Sequence, residues 1–134
     1  MTYEFVAGRD RIDEDWVHSM LRGSYWAAER PCDVQDAANA GSLCYGVYSP
    51  DTQVAFARVV TDSATFAWLC DVIVDPGVRG RGVGKQLMSG IVADLERLDL
   101  RRVLLATGDA HGLYAQYGWV PLRRPTTWME RTKG

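Results

Sequence analysis

The sequence predicts a single mixed α+β domain, and three observations carry that prediction. The chain has 134 residues, 47% of them hydrophobic and 24% charged, which suits one globular domain over residues 1–134 with a real core. Three β-type runs at 43–48, 53–60 and 65–74 are joined by links too short for a crossover helix, so they predict an antiparallel meander. An amphipathic helix then begins near Val83 and leads to an apolar strand over 103–106.

The first forty residues predict a short strand followed by two helices. Alternation over residues 2–5 indicates the strand. Asp13 is placed to cap a helix that Gly23 ends, because apolar residues recur between them at spacings of three and four. A weaker helix is expected over 34–40, after Pro31.

The segment after the 103–106 strand predicts a short helix and a closing hairpin. The helix should run through Leu113 and Tyr114 and stop at Gly118. The hairpin should pair residues 119–122 with residues 127–130.

Charge and composition exclude several classes of function. The net charge is -2, so no global positive field exists to hold nucleic acid. No apolar run is long enough to cross a bilayer, and the first residues lack a signal-peptide pattern, which predicts a cytoplasmic protein with no membrane partner. Three widely spaced cysteines favour neither a disulfide framework nor a zinc site, so we expect no metal.

The segment with the clearest chemistry is a glycine-rich turn between a strand and a helix. The apolar run Val72-Ile73-Val74 is followed by a loop with glycines at 80, 82 and 84, and the loop opens onto the helix near Val83. Glycines let backbone N–H groups point into one concavity, and a helix start adds unpaired N–H groups and a positive dipole end. With Arg79, Arg81 and Lys85 nearby, the turn predicts a binding site for pyrophosphate.

Two common phosphate-binding loops do not fit this turn. A P-loop would place glycine at position 79 and Ser or Thr at position 86, where the chain has Arg79 and Gln86. A dinucleotide fingerprint that starts at Gly80 would need glycine at position 85, where the chain has Lys85. The antiparallel meander also lacks the parallel strands of a nucleotide-binding fold.

The pattern that fits is R-x-x-G-x-G, formed by Arg79, Gly82 and Gly84 after an apolar strand. A second segment, Leu113-Tyr114-Ala115-Gln116-Tyr117-Gly118-Trp119, is similar to an aromatic-Tyr-x-x-x-Gly-aromatic signature, with Leu in the first position. In both motifs and in their order the sequence resembles the GNAT superfamily of N-acetyltransferases, over nearly the whole chain.

The resemblance implies a fold and a cofactor site. The fold would be a mostly antiparallel mixed sheet with a splayed parallel strand pair at the cofactor site, flanked by about four helices. The cosubstrate would be acetyl-CoA, with backbone groups of Val72, Ile73 and Val74 on its pantetheine and acetyl carbonyl. Its pyrophosphate would lie on the loop residues Arg79, Gly80, Arg81, Gly82, Val83, Gly84 and Lys85. Thr107 stands where many members carry Asn, so its side-chain contact to pantetheine is expected to be shorter or absent.

Two residues are candidates for the chemistry itself. Tyr114 matches the family tyrosine that protonates the departing thiolate, and a phenol is protonated at neutral pH; the alternative is a core aromatic. Asp71 interrupts an apolar run and is a candidate base for the amine; an equal alternative is a structural partner of Arg58 or of a helix N-terminus. His111, three residues before Tyr114, is a further proton relay candidate or a surface residue.

The acceptor is expected to enter over the first two helices. Tyr25, Trp26 and Glu29 lie in their connection and suit a cationic amine, although the two aromatic residues would equally serve to cover the sheet. The resemblance therefore implies an N-acetyltransferase acting by direct transfer to a small-molecule or peptide amine. A noncatalytic coenzyme A binding module is the alternative, and the choice between monomer and homodimer stays open.

Overall fold

A five-stranded mixed sheet forms the centre of the protein. The computed structural model describes residues 2–133. The sheet contains β1 (Glu4–Ala7), β2 (Leu43–Tyr48), β3 (Gln53–Thr61), β4 (Phe66–Val74) and β5 (Arg102–Leu104), in that spatial order. The first four strands pair antiparallel, and β5 pairs parallel to β4. The predicted meander and the crossover to a parallel strand are confirmed.

Four helices surround the sheet: α1 (Glu14–Arg22), α2 (Cys32–Ala40), α3 (Val83–Glu96) and α4 (His111–Ala115). Asp13 caps α1 as predicted, since its carboxylate accepts a hydrogen bond from the Trp16 amide at 3.1 Å, and Gly23 ends that helix. Two short 3-10 turns, Pro76–Val78 and Pro125–Thr127, complete the elements among residues 2–133.

The helices pack on opposite faces of the sheet and create two apolar clusters. On one face α3 buries its apolar stripe, including Leu87 and Ile91, against the strands. On the other face Val17 and Leu21 of α1 pack against Phe56. Each face of β3 and β4 therefore packs against a different helix layer. A register slip of one residue would exchange the two faces, so this packing fixes the strand register.

A β-bulge in β4 changes which side chains face which layer. Phe56 pairs with Ile73 and Arg58 pairs with Cys70, so Ala57 alone opposes both Asp71 and Val72. Asp71 adopts a φ of 53°, the left-handed region that non-glycine residues rarely enter. Before the bulge the odd-numbered residues of β4 face α3, and after it the even-numbered residues do. The bulge thereby turns Asp71 toward α1 and α2, near the point where β4 leaves β5.

The predicted closing hairpin is wrong. Residues 119–133 form no strand, and only the 3-10 turn at Pro125–Thr127 is regular. Pro121 and Pro125 have no N–H to donate to a ladder, and every residue from 120 to 133 is exposed, so little burial is available to stabilise strand pairing. The opening strand also lies two residues later than predicted. No helix within 2–133 is long and apolar enough to span a bilayer.

Candidate active site

The sheet opens between β4 and β5. The two strands pair from Phe66 opposite Arg102 to Trp68 opposite Leu104, where β5 ends. β4 continues through Leu69–Val74, and within the described chain no strand pairs with this edge of it. The backbone groups on that edge are therefore available to bind an extended ligand.

The glycine-rich turn lies at the end of this free edge. Gly84 approaches the Val74 side chain, because a Cβ placed on Gly84 would lie 3.9 Å from Val74 Cγ2. Gly80 and Gly82 have φ angles of 80° and 78°, and Gly82 is the N-cap of α3 without a capping side chain. No group among residues 2–133 accepts a hydrogen bond from the amides of residues 80–85. Unpaired donors at a helix N-terminus have the geometry that an anion-binding nest requires, and the binding itself stays a prediction.

The basic side chains of the loop differ in their surroundings. Arg81 donates to the Tyr3 hydroxyl at 3.1 Å, which directs it toward β1. Arg79 and Lys85 are exposed, and neither forms an ion pair with any residue from 2 to 133. The fold therefore fixes the positions of the main-chain amides, while Arg79 and Lys85 are exposed basic groups at the edge of the site.

Tyr114 lies on α4, where its ring is packed against Trp119 and is only 9% exposed. Burial raises the pKa of Tyr114 above its usual value near 10, and the nearby Tyr25 and Asp109 raise it further. The phenol is therefore protonated throughout the neutral and mildly alkaline range, which is the state that a proton donor requires.

Thr107 holds the start of the helix that carries Tyr114. Its hydroxyl accepts hydrogen bonds from the amides of Asp109 at 3.4 Å and Ala110 at 3.1 Å. These contacts order the loop between β5 and α4. The side chain is thus engaged locally, and its contact to pantetheine stays a prediction.

The Asp71 carboxylate is surrounded by donors. Trp26 Nε1 donates to one oxygen at 2.9 Å, and the other oxygen accepts from Arg58 Nε at 2.6 Å, Arg30 Nη1 at 2.8 Å and Gln35 Nε2 at 3.2 Å. Burial opposes ionisation, but Arg58, Gln35 and Arg30 outweigh it and hold the pKa of Asp71 below its usual range. A carboxylate this well stabilised is a poor base, so the geometry favours the alternative of a structural partner for Arg58.

The three residues proposed for acceptor binding all lie between α1 and α2. Trp26 contacts Asp71 on β4, and Tyr25 accepts a hydrogen bond at 2.7 Å from the amide of Gly108 in the β5–α4 loop. Glu29 is exposed on the same connection. Tyr25 and Trp26 therefore lie at the opening between β4 and β5, while Glu29 faces solvent.

Comparison with known proteins supports what this arrangement suggests. The model of the acetyltransferase (GNAT) family matches residues 9–119. The chain belongs to the GNAT family. A crystal structure of an acetyltransferase candidate of this family from Xanthomonas campestris pv. campestris is 43% identical, with a TM-score of 0.90 over 97% of this chain and 94% of that one.

Two sequence relatives of this GNAT protein agree with the assignment. An acetyltransferase candidate of Gibberella zeae is 29% identical over 69% of this chain, and this chain spans 63% of that protein's length. An uncharacterized N-acetyltransferase, ycf52-like, of Prochlorococcus marinus is 29% identical over 87% of this chain and 68% of its own length.

The Asp71 surroundings contain the site residues that sequence reasoning missed. Arg58 was named as a partner, but Arg30, in the connection between α1 and α2, and Gln35, on α2, were not, and nothing in the sequence singles them out from other polar residues. The Gly108 amide was also missed. Backbone donors carry no sequence signal of their own. Glycine at position 108 permits the close approach, because a Cβ there would lie only 3.1 Å from the Tyr25 hydroxyl.

Proposed function

We propose that this GNAT protein transfers the acetyl group of acetyl-CoA to a primary amine by direct attack. The observation that carries the proposal is the pair of unpaired backbone regions, one on the free edge of β4 and the other at the amides of residues 80–85. A pantetheine chain is an extended amide that pairs with a strand edge, and a diphosphate matches a helix N-terminus.

Binding at these two places would orient the thioester. The amides of residues 80–85 and the basic Arg79 and Lys85 would hold the diphosphate, while Val72, Ile73 and Val74 would bond the pantetheine and the acetyl carbonyl. Backbone N–H groups directed at that carbonyl would stabilise the negative charge that develops on its oxygen. Thr107 would act by ordering the β5–α4 loop.

The chemical step then needs one proton donor and a neutral amine. The amine nitrogen forms a bond to the carbonyl carbon, the carbon–sulfur bond breaks, and Tyr114 gives its phenolic proton to the departing thiolate. The proton that leaves the amine passes to solvent or to an exposed group near Tyr114, for which Asp109 in the β5–α4 loop and His111 at the start of α4 are the nearest candidates in sequence. The Tyr114 phenolate then regains a proton from solvent. Asp71 would serve as a structural anchor and not as the base.

The test is acetyl-CoA turnover, followed by thiol release, across a diverse panel of small amines and peptide amines. Turnover with a narrow group of amines supports the proposal, and Tyr114→Phe should then lower kcat while leaving acetyl-CoA affinity within about twofold. Binding of acetyl-CoA without turnover on any amine would instead identify a noncatalytic binding module. Unchanged turnover in Tyr114→Phe would remove Tyr114 from the mechanism.

A further inference from the structure

Two consecutive aromatic residues bridge the opening between β4 and β5. Trp26 Nε1 donates to Asp71 Oδ1 at 2.9 Å on the β4 side, and the Tyr25 hydroxyl accepts from the Gly108 amide at 2.7 Å on the β5 side. The two rings meet edge to face, with centroids 5.1 Å apart and planes at 79°. We refer to this pair, Tyr25 and Trp26, as the strap.

We propose that the strap positions the β5–α4 loop, and through it Tyr114, against the free edge of β4. Tyr25 and Trp26 are then positioning residues for the proton donor, a role that differs from direct contact with the acceptor. This inference rests on the proposed function for its catalytic consequence, but the strap itself is a structural feature that can be measured without turnover.

The β4 end of the strap is firmly anchored. Asp71 accepts from Arg58, Arg30 and Gln35 in addition to Trp26, and its side chain is only 1% exposed. A carboxylate with several charge-assisted bonds has little freedom to move. Trp26 therefore has a fixed point from which its neighbour can reach across the gap.

The β5 end of the strap acts on the segment that carries Tyr114. Gly108 lies between Thr107, whose hydroxyl caps the next turn, and Asp109, just before α4 begins at His111. Fixing the Gly108 amide therefore fixes the entry to the helix. Tyr25 is also close enough to Tyr114 to raise the pKa of that phenol.

Burial does not explain the position of Tyr25. The residue is 67% exposed, so its ring gains little from covering the sheet. The hydrogen bond to Gly108 and the edge contact with Trp26 are the contacts that hold it in place. A substitution that removes only the hydroxyl should therefore release the loop without opening a cavity.

The first experiment measures the strap directly, with no substrate present. In Tyr25→Phe, amide hydrogen exchange at Gly108 should become at least about fivefold faster, because a lost hydrogen bond is worth about 1 kcal/mol. The Asp75 amide, which donates to the Val54 carbonyl at 2.8 Å, should not change. Unchanged exchange at Gly108 would overturn the strap whether or not the protein proves to be an enzyme.

The second experiment asks whether the strap acts through Tyr114. Tyr25→Phe should lower kcat about tenfold with the KM values for acetyl-CoA and amine within twofold, because misplaced proton transfer slows the step without weakening binding. In a Tyr114→Phe background the same substitution should have almost no further effect on kcat. Tyr117→Phe, which removes a phenolic hydroxyl from the same part of the chain, is the matched control and should leave kcat unchanged.

Two results would overturn the positioning role. A raised KM for the amine at unchanged kcat would place Tyr25 in contact with the acceptor. Independent, multiplicative effects of Tyr25→Phe and Tyr114→Phe on kcat would show that the strap does not act through the tyrosine of α4.

Discussion

The substitution Asp71→Asn tests how much the buried carboxylate stabilises the protein. Asn keeps the shape of Asp but removes the charge and directs an N–H group toward donors. Arg58 and Arg30, whose side chains are 13% and 24% exposed, then lose their shared counter-charge. Breaking a buried pair in this way costs about 3–5 kcal/mol, a large share of the roughly 5–15 kcal/mol that holds a domain together. We expect the Tm to fall by roughly 10–20 °C.

Thermal and urea unfolding, followed by circular dichroism, measure this loss. The matched control is Asp36→Asn, because Asp36 pairs with His18 at 2.8 Å but its side chain is 51% exposed. Because Asp36 is half-exposed, that pair should contribute at most about 1 kcal/mol. If Asp71→Asn lost no more stability than the control, the carboxylate would not be the anchor that its contacts indicate.

The stability lost in Asp71→Asn should depend on pH in a defined way. The pKa of Asp71 is lower in the folded protein than in the unfolded chain, so its contribution is complete above the unfolded pKa of about 3.9 and is lost as pH falls through the folded pKa. The difference in unfolding free energy between the natural protein and Asp71→Asn should therefore be constant from pH 6 to 8 and shrink below about pH 4. If the difference in unfolding free energy grew on acidification, the pKa of Asp71 would not be lowered by folding.

Two further predictions concern the loop and the thiols. The new Cβ of Gly82→Ala would meet no atom within 4 Å, but alanine at a φ of 78° costs about 1–2 kcal/mol, so the loop should relax. Calorimetry should then show coenzyme A binding about tenfold more weakly. The control Gly8→Ala, with a φ of 120° and equally open space, should lose similar folding stability and no affinity for coenzyme A. Burial raises the pKa of Cys70 to about 11, so at pH 8 Cys70 should react with a thiol reagent far more slowly than the exposed Cys32, and equal rates would contradict its burial.

Local signals in the sequence predicted most of the fold. The Asp13 cap, the four-residue links of the meander and the apolar stripe of α3 each depend on near neighbours, and all three are confirmed. The predicted hairpin after Gly118 is absent from the described residues because short apolar runs do not by themselves ensure strand pairing. Two prolines remove donors from that segment, and residues 120–133 are all exposed.

The site was predictable to the extent that it depends on contiguous residues. The glycines at 80 and 82 adopt the positive φ angles that the anion-nest interpretation requires, and Tyr114 lies on the expected short helix. The environment of Asp71 was not predictable, because a bulge of one residue turns it to another face and its donors come from three separate segments. Whether Asp71 was a base or an anchor depended on those distant contacts.

The proposed function requires the amides of residues 80–85 to hold the diphosphate of coenzyme A. Proton–nitrogen NMR spectra of the labelled protein, titrated in parallel with coenzyme A and with pantetheine, test it residue by residue. We expect the amide protons of residues 80–85 to move to lower field with coenzyme A and to stay in place with pantetheine, which lacks the diphosphate. If these amide resonances did not shift with coenzyme A, or shifted equally with pantetheine, the diphosphate would not bind at residues 80–85.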